Sequence, residues 1–204
     1  MTKPVDGNEL FSRCMTESVA EKLTATTVAT YITSPYAIYC EKFVYKEERD
    51  SITDYQELLF QRGNDLETET VSNNYPDITT VQYTEPEDGF KSVIELMISG
   101  SNGMHDAPIY LLPEGLYGKA DILVKSNTKS SIFGNYHYTV KEVKLAKNIQ
   151  EKHLLQGAFY NYLLGQIQGF TPETFSVING EREETVHKYS DYEFLLFDSI
   201  KENR

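Results

Sequence analysis

The chain has 204 residues, of which 40% are hydrophobic, and a formal net charge of −12. This length and composition suffice to bury a full core, so we expect one domain over residues 1–204. No stretch approaches the ~20 apolar residues that a membrane-spanning helix needs, and the start, MTKPVDGNELFSRC, lacks the apolar core of a signal peptide. A cytoplasmic location with no membrane partner is therefore expected.

The charge is unevenly distributed along the chain. Residues 119–152 contain seven lysines and three acidic residues, a local balance of +4, which leaves −16 for the remainder. The overall acidity argues against a general polyanion binder, because lysine and arginine supply the affinity for phosphates. A basic segment in an acidic body could still present one face to a polyanion. Chance clustering of solubilising lysines is the alternative.

The predicted elements begin with helices. Residues 1–8 are expected to be disordered and residues 9–75 to form an N-terminal helical part. Helices are predicted over residues 9–23, 35–45 and 55–71. Ser34 as the N-cap and Pro35 at the first helical position mark the start of the second helix. The polar chain over 73–89 is expected to be a loop.

The pattern then changes to that of strands. Strands are predicted over residues 91–98, 108–112, 116–125, 138–147, 173–178 and 182–188. The clearest helix is QEKHLLQGAFYNYLLGQIQ, residues 150–168, and a terminal helix is expected within 190–204. Residues 90–189 would thus form the catalytic sheet and its helix. The order of elements predicts an α/β fold with one mixed central β-sheet flanked by helices.

Two neighbouring predicted strands carry charges in their middles. Asp121 lies in GKADILVK, and Glu142 and Lys144, two apart and so on one face, lie in YTVKEVKLAK. Side by side, the strands could bring Asp121 and Glu142 to one cation, and such oxygen ligands suit Mg²⁺ or Mn²⁺. Lys144 would orient or deprotonate an attacking water, or offset transition-state charge. This set suits metal-assisted phosphodiester hydrolysis; a solvated strand face is the alternative.

The following helix adds two polar groups on one face, because Gln156 and Tyr160 are four residues apart. Taken from the residues alone, simple packing of Tyr160 beside Ala158 and Phe159 is the preferred explanation. The pair gains a functional interpretation only together with the preceding strands.

In order along the chain, three segments resemble the successive motifs of the PD-(D/E)XK nuclease superfamily, specifically its RecB-like branch. They are GKADIL, KEVK and QGAFY, at residues 118–123, 141–144 and 156–160. In that branch a Q-x-x-x-Y helix follows the E-x-K strand. ITSPYAIYCEKFVYKE (32–47) is similar to the cysteine-containing entry helix of RecB-like and CRISPR-associated exonucleases, and QRGNDLETE (61–69) to their first-helix motif.

The resemblance implies a restriction-endonuclease-like core and a metal-dependent deoxyribonuclease. It favours an exonuclease-type enzyme that acts on single-stranded or end-containing DNA, with Mg²⁺ or Mn²⁺ as cofactor. The roles it implies are metal binding by Asp121, Glu142 and the backbone carbonyl of Val143, catalysis by Lys144, and contacts to the nucleic-acid backbone by Gln156 and Tyr160.

The first-helix segment departs from the family pattern. Leu66 falls where a histidine is common, so the resemblance makes Glu67 the candidate for a further metal ligand, with Glu69 as a substitute. A solvated glutamate on an acidic helix is the alternative for Glu67.

The cysteines differ from those of several relatives, which hold a [4Fe–4S] cluster through one cysteine near the entry helix and three near the C-terminus. This chain has Cys40 in the first position and none within residues 161–204. We therefore expect no iron–sulfur cluster, and Cys40 is interpreted as a buried small hydrophobe. Two cysteines also cannot by themselves hold a structural zinc.

Two other functions stay open. One is a nucleic-acid-binding protein that keeps the nuclease fold without cutting, which the overall acidity favours. The other is a nuclease module to which a helicase or another protein partner delivers the DNA strand. Metal-dependent cleavage separates the enzyme from the binding protein, and activity that rises with a partner indicates the module.

Overall fold

The computed structural model describes residues 4–18 and 21–204. The helices of these residues are α1 (Gly7–Met15), α2 (Ala25–Thr33), α3 (Pro35–Phe43), α4 (Asp54–Asn74), α5 (Pro86–Ser99), α6 (Glu151–Gln168) and α7 (Glu193–Glu202). The strands are β1 (Thr79–Thr80), β2 (Gly103–Leu111), β3 (Leu116–Ser126), β4 (His137–Val143), β5 (Thr174–Ile178) and β6 (Glu184–Lys188). Within the same residues, none of the helices has the length and apolar character that a membrane crossing requires.

These strands form one mixed sheet in the order β1-β2-β3-β4-β5-β6. Neighbours β2, β3 and β4 are antiparallel, whereas β4 and β5 are parallel and α6 makes the crossover between them. The predicted α/β fold, with a mixed central sheet flanked by helices, is confirmed. The restriction-endonuclease-like core stays a prediction.

Two apolar clusters cover the two faces of the sheet. The larger cluster takes side chains from α1, α2, α5, α6 and α7, and the smaller one joins Leu66 of α4 to Ile122, Val143 and Ile178. Leu123 belongs to the larger cluster although its neighbour Ile122 belongs to the smaller one. Because successive side chains of a strand point to opposite faces, α4 covers one face and the other helices cover the opposite face.

The segment 91–98 is helical, so the strand predicted there is wrong. It belongs to α5, which has Pro86 at its start and Gly100 in a left-handed conformation at its end. Its buried residues Phe90, Val93, Ile94 and Met97 follow the spacing of a helix face rather than strand alternation. The glycine that follows the run ends a helix here, whereas the sequence prediction took the turn residues 99–103 as the end of a strand.

Helix α2 has no counterpart among the predicted elements. Its sequence, ATTVATYIT, is rich in β-branched residues, which lowers helix propensity. Thr24 caps its first turn by accepting the backbone N–H of Thr27. The buried residues Ala25, Val28 and Ala29 lie on one helical face, and α2 packs against α6. Burial of this face therefore overrides the local preference.

The N-terminal helix differs from its prediction at both ends. Of the segment 1–8, residues 1–3 lie outside the described residues, and α1 begins directly after Asp6, whose carboxylate accepts two backbone N–H groups of the first turn. The helix predicted over 9–23 ends at Met15, because the chain becomes extended at the next residue.

The remaining elements agree more closely with the sequence. Ser34 caps α3 and Pro35 is its first residue, as predicted. The predicted loop 73–89 holds the short strand β1 and the start of α5. Strand β4 ends at Val143, four residues before the predicted boundary. Cys40 is half-buried rather than buried.

Two glycines in helices give opposite stability predictions. A Cβ on Gly157 of α6 would lie 2.5 Å from Cδ2 of Phe175, whereas a Cβ on Gly63 of α4 would meet nothing within 4 Å. We expect Gly157→Ala to lower the free energy of unfolding by about 1–3 kcal/mol through overpacking. Gly63→Ala should raise it by about 0.5–1 kcal/mol, since alanine is the better helix former. Urea denaturation of both variants measures this, and equal effects would contradict the packing described.

Candidate active site

The candidate site lies where the pairing of β3 with β4 ends, which we call the β3–β4 fork. The last pair of the ladder is Ile122 with Lys141, so Asp121 and Glu142 stand one position beyond it. There the backbone N–H of Val143 donates to Asp121 Oδ2 at 2.7 Å. The carboxylate of Asp121 thus accepts a hydrogen bond that a backbone carbonyl of β3 would accept if the ladder continued.

The three charged groups predicted from the strands are brought together. Lys144 Nζ lies 2.7 Å from Glu142 Oε2 and 3.8 Å from Asp121 Oδ2. Lys144 follows the end of β4, and its backbone N–H donates to Ile178 of β5 at 2.8 Å. The predicted shared face of Glu142 and Lys144 is therefore confirmed, with Asp121 beside them.

One oxygen of the site lacks a partner. Glu142 is only 1% exposed, and its Oε1 has no hydrogen-bond partner. A buried charged oxygen without a partner costs free energy, because it has lost water and gained nothing in exchange. Carboxylate oxygens are the ligands that Mg²⁺ and Mn²⁺ prefer, so this donor set fits a divalent cation.

The carboxylates of the site repel one another. Burial raises the pKa of Asp121 well above its ordinary value, the charges of Glu142 and Glu67 raise it further, and Lys144 opposes them. Burial lowers the pKa of Lys144, but Glu142 and Asp121 outweigh burial, so the pKa of this lysine is raised. An excess of negative charge therefore remains beside one ammonium, which favours binding of a cation.

Tyr160 and Gln156 lie on α6, which packs against β3 and β4. Tyr160 is buried, and a Cβ on Gly118 of β3 would lie 2.8 Å from its hydroxyl oxygen. The glycine of GKADIL therefore makes room for the tyrosine ring. Burial raises the pKa of Tyr160, and the charges of Glu142 and Asp121 raise it further, which places the ring beside the carboxylates. Gln156, one turn earlier on α6, is half-buried.

The two candidate glutamates of α4 have different surroundings. Glu67 Oε1 lies 2.9 Å from His105 Nε2, and the charge of Glu67 acts on Asp121. Glu69 is exposed and forms an ion pair with Arg182. Of these two glutamates, Glu67 is thus the one whose charge acts on the site. The metal-binding role of the Val143 carbonyl stays a prediction, since the observed contact of that residue is through its N–H group.

Sequence reasoning missed His105 and Asp106, because it began strand β2 at residue 108. They form with Glu67 a group whose ligand atoms all lie within 4.8 Å of one another, a set that could hold a metal ion. Asp106 has a positive φ of 56° and stands opposite Asp121 between two paired positions of β2 and β3. Two adjacent polar residues inside the apolar run MHDAPIYL were the signal that pointed to them.

The comparisons with known proteins add nothing to this geometry. The chain matches no model of a known protein family, and the curated proteins contain no match to it. The interpretation of the site therefore depends on its residues and on their arrangement.

Removal of one site carboxylate should stabilise the metal-free protein. Asp121→Asn retains an oxygen that can accept the N–H of Val143 but removes the repulsion with Glu142. We expect the Tm in EDTA to rise by about 2–4 °C, the shift that about 1 kcal/mol produces at this size. The exposed Asp198→Asn is the control and should leave the Tm unchanged. A Tm lowered by Asp121→Asn would show that the carboxylates do not oppose folding.

Proposed function

We propose that the protein is a metal-dependent nuclease of the RecB-like PD-(D/E)XK type that hydrolyses DNA phosphodiester bonds. The observation that carries this proposal is the β3–β4 fork, where Asp121 and Glu142 converge beside Lys144 and Glu142 Oε1 has no partner. The order of the motifs and the position of Tyr160 over Gly118 support it.

Asp121 and Glu142 would hold Mg²⁺ or Mn²⁺, with Glu67 and the carbonyl of Val143 as further ligands. When bound, the divalent ion supplies positive charge that polarises the phosphate. The ammonium of Lys144 is fixed by Glu142 at 2.7 Å, so it can orient the attacking water and offset the negative charge that develops on the phosphate. The water oxygen bonds to phosphorus and releases a proton to the solvent, the bond to the leaving oxygen breaks, and that oxygen takes up a proton from the solvent.

Gln156 and Tyr160 would contact the DNA backbone. They lie one helical turn apart on α6 and so share one face of that helix. The substrate that we propose is single-stranded or end-containing DNA, and an exonuclease mode follows from the resemblance to the RecB-like branch. The lysines of residues 119–152 would offset the overall charge of −12 on the side of the DNA.

Cleavage of end-labelled single-stranded and double-stranded DNA with Mg²⁺ or Mn²⁺ tests the proposal. Lys144→Ala should lower the rate on the order of 10²–10³-fold, the cost of removing one electrostatic contact to the transition state. EDTA should abolish the cleavage. Lys201→Ala is the matched control, since Lys201 is exposed on α7 and lies outside residues 119–152, and it should cleave like the parent.

Two results would count against the proposal. Cleavage that persists in Lys144→Ala would place the activity elsewhere or in a contaminant. A folded parent that binds Mn²⁺ but cuts neither single-stranded nor double-stranded DNA would favour a binding protein or a module that needs a partner.

A specific observation favours the partner-dependent form of this function. Large apolar side chains are exposed close together in sequence on α3, on the start of α4 and between them. They are Tyr36, Tyr39, Phe43, Tyr45, Ile52, Tyr55, Leu58 and Phe60, which we call the apolar arm. Exposed apolar side chains that lie against one another mark an interaction surface. On α3 the rings of Tyr36, Tyr39 and Phe43 do so, with 6.1 Å and 4.8 Å between successive ring centroids.

The arm also includes a helical segment without a buried side chain. The buried residues of α4 are Leu66 and Thr70, so residues 54–65 have no buried side chain. A helix of this length is marginal in water without packing. Residues 36–60 contain six acidic and three basic residues, which disfavours nucleic acid as the occupant. We infer that the apolar arm receives another protein with a basic rim.

Hydrogen exchange of the isolated chain tests this inference. The amides of residues 54–65 should exchange much faster than those of α6, because only the second half of α4 packs on the sheet. Light scattering at rising concentration should show a monomer. Slow exchange in a monomer would show that the chain covers its own arm. A concentration-dependent dimer with slow exchange would identify a second copy as the occupant.

A further inference from the structure

His105 makes two hydrogen bonds that link three elements. It lies on β2, is 7% exposed, and its Nε2 is 2.9 Å from Oε1 of Glu67 on α4. Its Nδ1 is 3.1 Å from the hydroxyl oxygen of Thr80 on β1. Both ring nitrogens are thus occupied, and the ring orientation is fixed from both sides.

The chemistry of the two partners assigns the proton on Nε2. An ionised carboxylate only accepts hydrogen bonds, so Nε2 must carry the hydrogen that is donated to Glu67. A nitrogen that carries a proton has no lone pair for a metal ion. Nδ1 faces the Thr80 hydroxyl, which can donate to it. In this arrangement, His105 acts on the carboxylate of Glu67 and is not itself a ligand.

The neighbouring Asp106 is engaged as well. Lys119 Nζ pairs with Asp106 Oδ1, and Asp106 Oδ2 is 4.0 Å from His105 Nε2. A separate metal site at Glu67, His105 and Asp106 would have to displace both the imidazole proton and the lysine. The group is therefore better suited to holding Glu67 than to binding a second cation.

The position of His105 in the sheet is next to the β3–β4 fork. His105 pairs with Ile122 of β3, the neighbour of Asp121. Strand β1, of only two residues, pairs with β2 and places Thr80 beside His105. The ligand atoms of Glu67, His105 and Asp106 lie within 4.8 Å of one another, and Asp106 stands opposite Asp121, so the carboxylate of Glu67 lies on the side of β2 that adjoins the fork.

We propose that His105 is a positioning residue, which holds the carboxylate of Glu67 as a ligand for the cation of the β3–β4 fork. This inference rests on the proposed nuclease function. Thr80 fixes the imidazole, and the imidazole fixes the carboxylate. Such outer hydrogen bonds orient metal ligands and commonly change metal affinity by about 10–100-fold when they are removed.

Mn²⁺ titration followed by electron paramagnetic resonance tests the role of His105. His105→Leu should weaken Mn²⁺ binding by about 10–100-fold, because Glu67 loses its donor. His105→Gln retains an N–H group at the place of Nε2 and should bind Mn²⁺ nearly like the parent. Thr80→Val, at an exposed position, should also weaken Mn²⁺ binding, but by a smaller factor than His105→Leu does. His187→Leu, a histidine of β6, is the control and should leave Mn²⁺ affinity unchanged.

The spectrum of bound Mn²⁺ separates positioning from direct ligation. Pulsed measurements detect coupling to the ¹⁴N of a ligating imidazole, and we expect none in the parent. Coupling that disappears in His105→Leu would overturn the proposal and make His105 a ligand. Equal Mn²⁺ affinity of His105→Leu and the parent would also overturn it.

The same titration distinguishes failure of this inference from failure of the proposed function. If the parent binds Mn²⁺ and Asp121→Asn does not, the fork is a metal site whatever His105 does. A second result would sink only the inference on His105: cleavage depends on Lys144, but the Mn²⁺ concentration that gives half of the maximal rate is the same in His105→Leu and in the parent.

Discussion

The structure depends on the end of the β3–β4 ladder, where Asp121 accepts the N–H of Val143 at 2.7 Å. Pairing on both sides makes this position rigid, because β3 continues along β2 and β4 continues along β5. The rigid frame keeps Glu142 buried with one unpartnered oxygen and keeps Lys144 beside it. Under the proposed function, a bound cation would relieve the free-energy cost of this arrangement.

The two faces of the sheet contribute different parts of the site. α6 brings Tyr160 against Gly118, where the missing Cβ leaves space for the ring. From the other face α4 brings Glu67, and β1 and β2 support that carboxylate through Thr80 and His105. The first half of α4 extends beyond the sheet into the apolar arm, so one helix connects the candidate site with the candidate partner surface. A partner on the arm would therefore lie on the element that carries Glu67.

Local rules predicted the central charged group well. Strand alternation put Glu142 and Lys144 on one face, and their contact confirms it. The same rules failed for 91–98, where the helical spacing of buried residues and Gly100 outweigh a strand-like composition. They did not find His105, because its contact with Glu67 joins residues 38 positions apart and the only local sign of it is a polar interruption of an apolar run.

The sequence by itself determined the order of the elements from β3 onward and the shared face of Glu142 and Lys144. These features depend on alternation, capping and turn residues, which act over a few positions. Only the tertiary structure decided which glutamate of α4 reaches the site and that β1 and β2 support it. It also decided that α2 is a helix, since burial against α6 outweighs the weak helix propensity of its β-branched residues. The physical reason is that burial and long-range pairing are properties of the assembled chain, whereas propensity belongs to each segment alone.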